Sequence, residues 1–168
     1  ANSEISEETT TVLLESAQFA PSNIRATSRG LGLLSDASHR FERGVGFEMV
    51  EFASRRAAAL LCEIAGGELL DGVVDVCAGP YQPHEVSCRV ARVNQLLGTA
   101  LNVDDMVDCL RQLQLPVSYA DPERITVSVP SFRLDLEREA DLIEEIARIY
   151  GLANIATAPV SAAVGGSL

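Results

Sequence analysis

The stretch DLEREADLIEEIARIYG, residues 135–151, concentrates the side chains best suited to bind a cation. It holds six carboxylates and only two arginines. A helix advances about 100° per residue, so Asp141, Glu144 and Glu145 are predicted to share a face. Close carboxylates repel one another unless a cation neutralises them, and Mg²⁺ takes one or two carboxylates together with waters or phosphates. The spacing is compatible with a hard-cation site and also with an ordinary solvated helix face.

The ligand chemistry narrows the choice of metal. An all-oxygen ligand set favours Mg²⁺ or Ca²⁺ over zinc, and the spacing does not match a calcium-binding loop. Asp135, near the predicted helix start, could cap the helix or turn toward the same face. Arg148 could instead pair with Glu144 or Glu145, which would favour the solvated face. The two other acids of the stretch are expected to be solvated charge: Glu137 and Glu139.

The elements that position this helix are predicted over residues 80–155. Apolar residues on the opposite side of the helix form a stripe that should pack on a core: Leu142, Ile143, Ile146, Ile149 and Tyr150. Upstream, residues 85–98 start extended and become a short helix ended by Gly98. Asn102 is a good N-cap for the next helix. Two short strands, residues 115–119 and 124–129, follow around a turn.

The first half reads as a separate region that ends in the Gly- and Pro-containing boundary 78–83. A strand is predicted over residues 9–20, then a helix that opens at Pro21 and stops at Gly30 and Gly32. Residues 34–46 look like a loop. Residues 47–67 predict a long helix with an apolar stripe, and residues 69–77 a second strand. Residues 156–168 are predicted to be a linker or tail, and residues 1–11 resemble the interior of a longer protein, so we expect an excised fragment.

Charge and cysteine content limit the functional classes. The formal net charge is −11 and all thirteen basic residues are arginines, which makes general binding to nucleic acid unfavourable. The most basic window, residues 25–43, is interpreted as a mixed-charge surface. The four cysteines lack the CxxC spacing of metal or redox motifs. They predict buried, reduced thiols in a cytoplasmic protein.

Four motifs occur in a specific order: SDASHRFERGV, EIAGGE, RVNQLLGTAL and VPSFRLDLEREADLIEEIARIYG. Together they resemble the beta subunit of bacterial phenylalanyl-tRNA synthetase over about residues 1–156. The resemblance implies an α+β chain. Residues 1–79 would be the C-terminal part of a mixed α/β tRNA-editing module, and residues 80–155 a compact winged-helix-like helical domain with short strands.

The resemblance also implies roles for two residues of the first half. Glu15 matches the glutamate that recognises the tyrosine hydroxyl in the editing pocket, and Ala37 matches the small pocket residue that leaves room for the amino acid. A buried carboxylate that accepts a phenol hydrogen bond would be left unpaired by phenylalanine, which favours its rejection. Without the resemblance, a surface glutamate and a packing alanine are the ordinary interpretations. His39 is not at the position of the pocket histidine, so the pocket is expected to be incomplete and the fragment inactive as a deacylase.

In the second half the resemblance implies a Mg²⁺ site shared with the alpha subunit of an alpha-2 beta-2 assembly. The matching ligands are Asp135, Asp141, Glu144 and Glu145. ATP would be used by the parent enzyme and bound mainly elsewhere, and tRNA(Phe) would be its nucleic-acid partner. The competing hypotheses are a stand-alone, non-catalytic nucleic-acid-binding module and a pure protein-interaction scaffold. The acidic balance of residues 80–155, twelve acids against seven arginines, disfavours nucleic-acid binding and favours an architectural role.

Overall fold

The computed structural model describes residues 5–77 and 79–157, and the chain divides between Gln82 and Pro83. Residues 1–82 are called the first unit here and residues 83–168 the second unit. The described residues form six helices and one three-stranded antiparallel sheet, which confirms the predicted α+β class. Most of the predicted tail, residues 158–168, lies outside the described part. No helix in the described ranges combines the length and the apolar character needed to cross a bilayer.

The described part of the first unit consists of helices α1 (Pro21–Leu31), α2 (Asp36–Phe41) and α3 (Met49–Ala65). Proline in the first turn fits α1, because its missing N–H would have no partner there. Helices α1 and α3 both end at a glycine in the left-handed region, Gly32 at φ 64° and Gly66 at φ 67°. The predicted positions of these two helices are therefore confirmed.

Helix α2 corrects the prediction of a loop over residues 34–46. Ser35 caps it: its hydroxyl accepts a hydrogen bond from the backbone N–H of Ser38 at 3.1 Å, and the Ser35 N–H donates to the Ser38 hydroxyl at 2.9 Å. This reciprocal arrangement is a capping box. It was missed because the fourth position holds serine in place of the usual glutamate or glutamine.

The two strands predicted in the first unit are also wrong. Residues 9–20 and 69–77 contain no strand, and neither segment pairs with a strand in the part of the chain that is described. Leu13 and Val74 are almost fully exposed. A β-branched run forms a strand only when another strand pairs with its backbone, and residues 5–77 supply no such partner.

The second unit follows the predicted order more closely. It runs β1 (Glu85–Arg89), α4 (Val90–Leu97), α5 (Val103–Gln112), β2 (Val117–Ala120), β3 (Arg124–Ser128), α6 (Glu139–Tyr150) and a 3₁₀ turn at Leu152–Asn154. The sheet order is β1-β3-β2, with Val86 and Val117 both opposite Val127. Two helices followed by a hairpin, with β1 completing the sheet, are the arrangement expected of a winged-helix-like unit.

The hydrophobic core lies entirely in the second unit among the described residues. Helix α6 packs against α5 and β1. Its fully buried side chains include Leu142 and Ile146, as the predicted stripe requires. The largest other fully buried side chains come from α5, from β3 and from the loops before β2 and α6: Met106, Leu110, Leu115, Ile125 and Leu136. This packing fixes the orientation of α6 and of the acids it carries.

Candidate functional site

Asp141 lies in the first turn of α6, and it serves as a cap. One of its carboxylate oxygens accepts hydrogen bonds from the backbone N–H groups of Arg138 at 2.7 Å and Glu137 at 3.0 Å. These backbone donors lower the pKa of Asp141. The charge also stabilises the helix N-terminus, where backbone N–H groups point toward it.

Arg133, in the loop before α6, holds two of the predicted ligands. Its guanidinium binds Asp135 through two nitrogens, with Nε–Oδ1 at 2.9 Å and Nη2–Oδ2 at 2.6 Å. The same Nη2 donates to Glu145 Oε1 at 2.8 Å. Glu145 Oε2 accepts from Arg148. Asp135, Arg133, Glu145 and Arg148 thus form one continuous ion-pair network, called the Arg133 network below.

The charges of this network are mutually stabilised. The hydrogen bond to Asp135 is the main cause that raises the pKa of Arg133, while burial opposes it. The hydrogen bond from Arg133 lowers the pKa of Asp135. Both groups are therefore ionised at neutral pH. Glu145 is the deepest acid, with a side chain only 11% exposed.

Glu144 differs from the other three predicted ligands. It is exposed, and its carboxylate makes no hydrogen bond or ion pair with any described residue. It is next to Glu145 in the chain, and neighbours on a helix diverge by about 100°. Glu145 therefore turns toward the core edge and Glu144 toward solvent. The sequence placed both residues on one face with Asp141, but their burial differs, since Glu145 is buried and Glu144 is exposed.

The four predicted Mg²⁺ ligands are not gathered around one point in this structure. Asp135 and Glu145 converge on Arg133, Asp141 caps the helix and Glu144 faces outward. Across residues 5–77 and 79–157, no three or more His, Cys, Asp or Glu side chains are grouped as ligands of a metal ion. Their assignment as Mg²⁺ ligands stays a prediction.

Glu139 was expected to be solvated charge, and the structure shows a specific partner. Its carboxylate binds Arg89 at the end of β1 through two nitrogens, at 2.9 and 2.7 Å, and accepts from the Arg89 backbone N–H at 3.0 Å. The side-chain hydrogen bond from Arg89 is the main cause that lowers the pKa of Glu139 to about 2. This pair ties the start of α6 to the sheet.

Sequence reasoning missed Arg133 and Arg89 because both act across long stretches of chain. Arg133 reaches Glu145 twelve positions away, and Arg89 reaches Glu139 fifty positions away. Helical spacing relates residues of one helix only. The one available signal was the position of Arg133, two residues before Asp135. Of the two partners that the sequence left open for Arg148, Glu144 and Glu145, the structure shows an ion pair with Glu145.

The predicted editing residues lie in the first unit and are both exposed. Glu15 belongs to the unpaired segment before α1, and Ala37 to α2. No hydrogen bond or ion pair of the Glu15 side chain forms within the described residues. Their segments are nevertheless anchored: Ser16 donates to the Val50 carbonyl at 2.8 Å, and the rings of Phe19 and Phe41 meet edge to face at 5.0 Å.

All four cysteines are free thiols. Cys88 and Cys109 are buried in the second unit, Cys62 is half-buried and Cys77 is exposed. The prediction that all four are buried holds for Cys88 and Cys109, is met only in part by Cys62 and is wrong for Cys77. Its segment, residues 69–77, has no strand partner to cover it.

Known proteins match both units. A family model described as the B3/4 domain matches residues 1–66, and one described as the tRNA synthetase B5 domain matches residues 86–152. A phenylalanine–tRNA ligase beta subunit from Geobacter metallireducens is 47% identical over 154 residues, which cover 92% of this chain and 19% of that protein. The corresponding protein of Syntrophotalea carbinolica is 46% identical over 170 residues, covering 99% and 21%.

The chain belongs to the phenylalanine–tRNA ligase beta-subunit family. It spans about a fifth of the length of the curated relatives it matches. Among solved structures, an N-terminal fragment of the phenylalanyl-tRNA synthetase beta subunit from Pyrococcus horikoshii aligns with a TM-score of 0.39 at 22% identity, over 44% of this chain and 21% of that one. In this beta-subunit chain the B5 match coincides with the unit that has a core, and the B3/4 match with the unit that lacks one among its described residues.

Proposed function

We propose that this beta-subunit chain works within a phenylalanine–tRNA ligase, where its second unit is an architectural domain that presents α6 to the alpha subunit. The observation that carries the proposal is the B5 match on a unit with its own hydrophobic core and an acidic surface. The parent enzyme would use ATP and tRNA(Phe), with the ATP bound mainly elsewhere. The four free thiols support a cytoplasmic location.

The arginines of the second unit argue against the alternative of a stand-alone nucleic-acid-binding module. Affinity for phosphates comes mainly from unpaired Lys and Arg side chains. Five arginines of this unit are already in ion pairs: Arg89, Arg111, Arg133, Arg138 and Arg148. With twelve acids against seven arginines over residues 80–155, the unit should repel an RNA backbone.

Titration of the chain with tRNA(Phe) at low and at physiological salt tests this choice. We expect no saturable binding at either salt. In parallel, the chain should associate with isolated alpha subunit, and a charge reversal at the exposed Glu144, Glu144→Lys, should weaken that association. Tight tRNA binding with a steep salt dependence would instead support the nucleic-acid module. Failure to associate with the alpha subunit would count against the architectural role.

For the first unit we propose a part in editing of tyrosyl-tRNA(Phe), with Glu15 and Ala37 in a pocket completed by other parts of the beta subunit. The exposure of both residues and the lack of buried apolar side chains over residues 5–77 support the need for completion. We expect the chain alone not to hydrolyse tyrosyl-tRNA(Phe). In a complete beta subunit within the assembled ligase, Glu15→Ala should lower hydrolysis. Clear hydrolysis by the chain alone would overturn the proposal of an incomplete pocket.

For Mg²⁺, the arrangement supports a narrower proposal than four shared ligands. Mg²⁺ needs only one or two carboxylates when waters or phosphates complete its shell. We propose that Glu144, exposed and without an ion pair, supplies the beta-subunit carboxylate to a Mg²⁺ ion held with the alpha subunit. Calorimetric titration of the assembled ligase measures its affinity for Mg²⁺. This affinity should fall with Glu144→Gln and stay unchanged with the control Glu137→Gln. Equal affinities of the two variants for Mg²⁺ would contradict this proposal.

A further inference from the structure

We infer that Arg133 is the built-in counter-ion of the acidic helix: it neutralises Asp135 and Glu145 in the folded second unit, so that this fold does not depend on a divalent cation. The inference is independent of the proposed Mg²⁺ contact at Glu144, which requires the alpha subunit. It assigns a role to an arginine that lies outside the predicted site. It also explains why Asp135 and Glu145 lie together, apart from the other two predicted ligands.

The geometry of Arg133 is that of a dedicated carboxylate receptor. A planar guanidinium can present two parallel N–H donors to one carboxylate, which fixes its direction as well as its charge. Asp135 occupies this fork with both oxygens, and Glu145 takes a further hydrogen bond from Nη2. A cation that bound both carboxylates through these oxygens would have to displace the guanidinium from them.

Burial makes this pairing necessary in the folded unit. The side chains of Arg133 and Glu145 are only 16% and 11% exposed. A carboxylate removed from water to this extent is strongly disfavoured unless it is paired. The network contains two acids and two arginines, so its formal charge is already zero. A divalent cation added there would leave an uncompensated positive charge beside Arg133.

The loop that carries Arg133 is fixed at several points, so the guanidinium is held ready for its partners. The Arg133 N–H donates to the Pro130 carbonyl at 3.0 Å. Leu136 is buried, and its carbonyl lies 2.8 Å from His84 Nε2. Arg133 thereby joins this loop to α6 across twelve positions. We regard it as a positioning residue that sets the orientation of α6.

The labelling rate of the buried Cys88 thiol in the whole chain reports opening of the second unit, and mass spectrometry separates its label from those of the other cysteines. For the unaltered chain we expect the same rate in EDTA and in millimolar Mg²⁺. Arg133→Met should accelerate labelling by roughly a hundredfold or more, because it leaves two acids without their shared partner. The control Arg138→Met removes an exposed arginine with one long ion pair at 3.4 Å and should have little effect.

Two further variants keep the inference testable if Arg133→Met does not fold. Arg133→Lys keeps the charge but loses the fork, so it should label at an intermediate rate in both buffers. Adding Glu145→Met to Arg133→Met removes the stranded carboxylate and should recover part of the protection. The inference is overturned if Mg²⁺ slows labelling of the unaltered chain and Glu145→Gln abolishes that effect. It is equally overturned if Arg133→Met labels no faster than Arg138→Met.

Discussion

Helices α3 and α6 both carry a well-spaced apolar stripe, yet they end in opposite environments. Five residues of α6 are buried, whereas no residue of α3 is. Ile64 on α3 is 81% exposed, while Ile146 on α6 is fully buried. An apolar stripe identifies a face that should be covered. It does not tell whether the covering residues belong to the same stretch of chain.

Local features are formed equally well in both units. Helices α1, α3 and α4 all end at a glycine with positive φ, and α2 and α5 both have a capping box. These contacts involve residues three to five positions apart and need no core. The difference between the units lies in long-range packing, which supplies most helical stability in proteins. We therefore expect the second unit to unfold cooperatively and the first unit to be weakly protected.

Thiol labelling should give the largest contrast between the units. Cys77 is exposed and should react at nearly the rate of a free peptide. Cys88 is buried, and labelling requires opening of the second unit, so it should be slower by roughly a thousandfold or more for an ordinary unfolding free energy. Mass spectrometry of labelled peptides measures both rates in one sample. Comparable rates at the two sites would mean that the second unit is not cooperatively folded.

Matched isoleucine truncations probe the same contrast by equilibrium unfolding. Ile146→Ala removes fully buried methyl groups and should lower the free energy of unfolding by about 2–5 kcal/mol. Ile64→Ala removes exposed ones and should change it by less than about 0.5 kcal/mol. Urea titration with Cys88 labelling as the readout measures the effect of Ile146→Ala, and amide hydrogen exchange within α3 measures the effect of Ile64→Ala. If the two variants lower stability by the same amount, the Ile64 face is covered in solution and the comparison of α3 with α6 fails.

The features that could be predicted from the sequence are the local ones, and those that could not be predicted depend on long-range contacts. Helix ends at Gly32, Gly66 and Gly98 and the cap at Asn102 were predictable, because each depends on a few neighbouring residues. The strands expected over 9–20 and 69–77 were not, because pairing depends on a distant partner. At the candidate site, helical spacing identified the acids of α6. It could not identify Arg133 or Arg89, which reach them from other elements.

The stability of the second unit should depend on pH through the ionisation of its buried thiol, Cys88. Burial is the main cause that raises the pKa of Cys88 from 9.0 to about 12, with a smaller contribution from Glu139. Above pH 9 the unfolded chain loses this proton while the folded chain keeps it, so stability falls as pH rises toward 12. At about pH 10 the loss should be about 1.4 kcal/mol. Urea midpoints measured at about pH 8 and about pH 10 test the sign and size of this loss.

Cys88→Ala is the matched variant for this measurement. It costs stability at every pH through the lost side chain, but the slope between the two pH values should become shallower. Cys109, whose pKa burial also raises, should leave a residual slope of the same sign. A rise in stability over this range, or an unchanged slope in Cys88→Ala, would contradict the assignment of the effect to Cys88.

The two capping boxes offer the smallest and most direct comparison of the units. The Asn102 side chain accepts from the Asp105 N–H at 2.8 Å, much as Ser35 accepts from the Ser38 N–H at 3.1 Å. Asn102→Ala should lower the stability of the second unit by about 1 kcal/mol, and Asn102→Gly by only a few tenths. Ser35→Ala removes an equivalent bond, but α2 packs on no buried apolar core among the residues that the structure describes.

We therefore expect Ser35→Ala to speed amide hydrogen exchange within α2 and to leave the urea midpoint of the second unit unchanged. The same hydrogen bond would then contribute to global stability in one unit and only to local order in the other, because linkage to a core converts a local contact into a cooperative one. If Ser35→Ala lowers that midpoint as much as Asn102→Ala does, the two units unfold together. Weak burial in the first unit would then not mean weak coupling to the second.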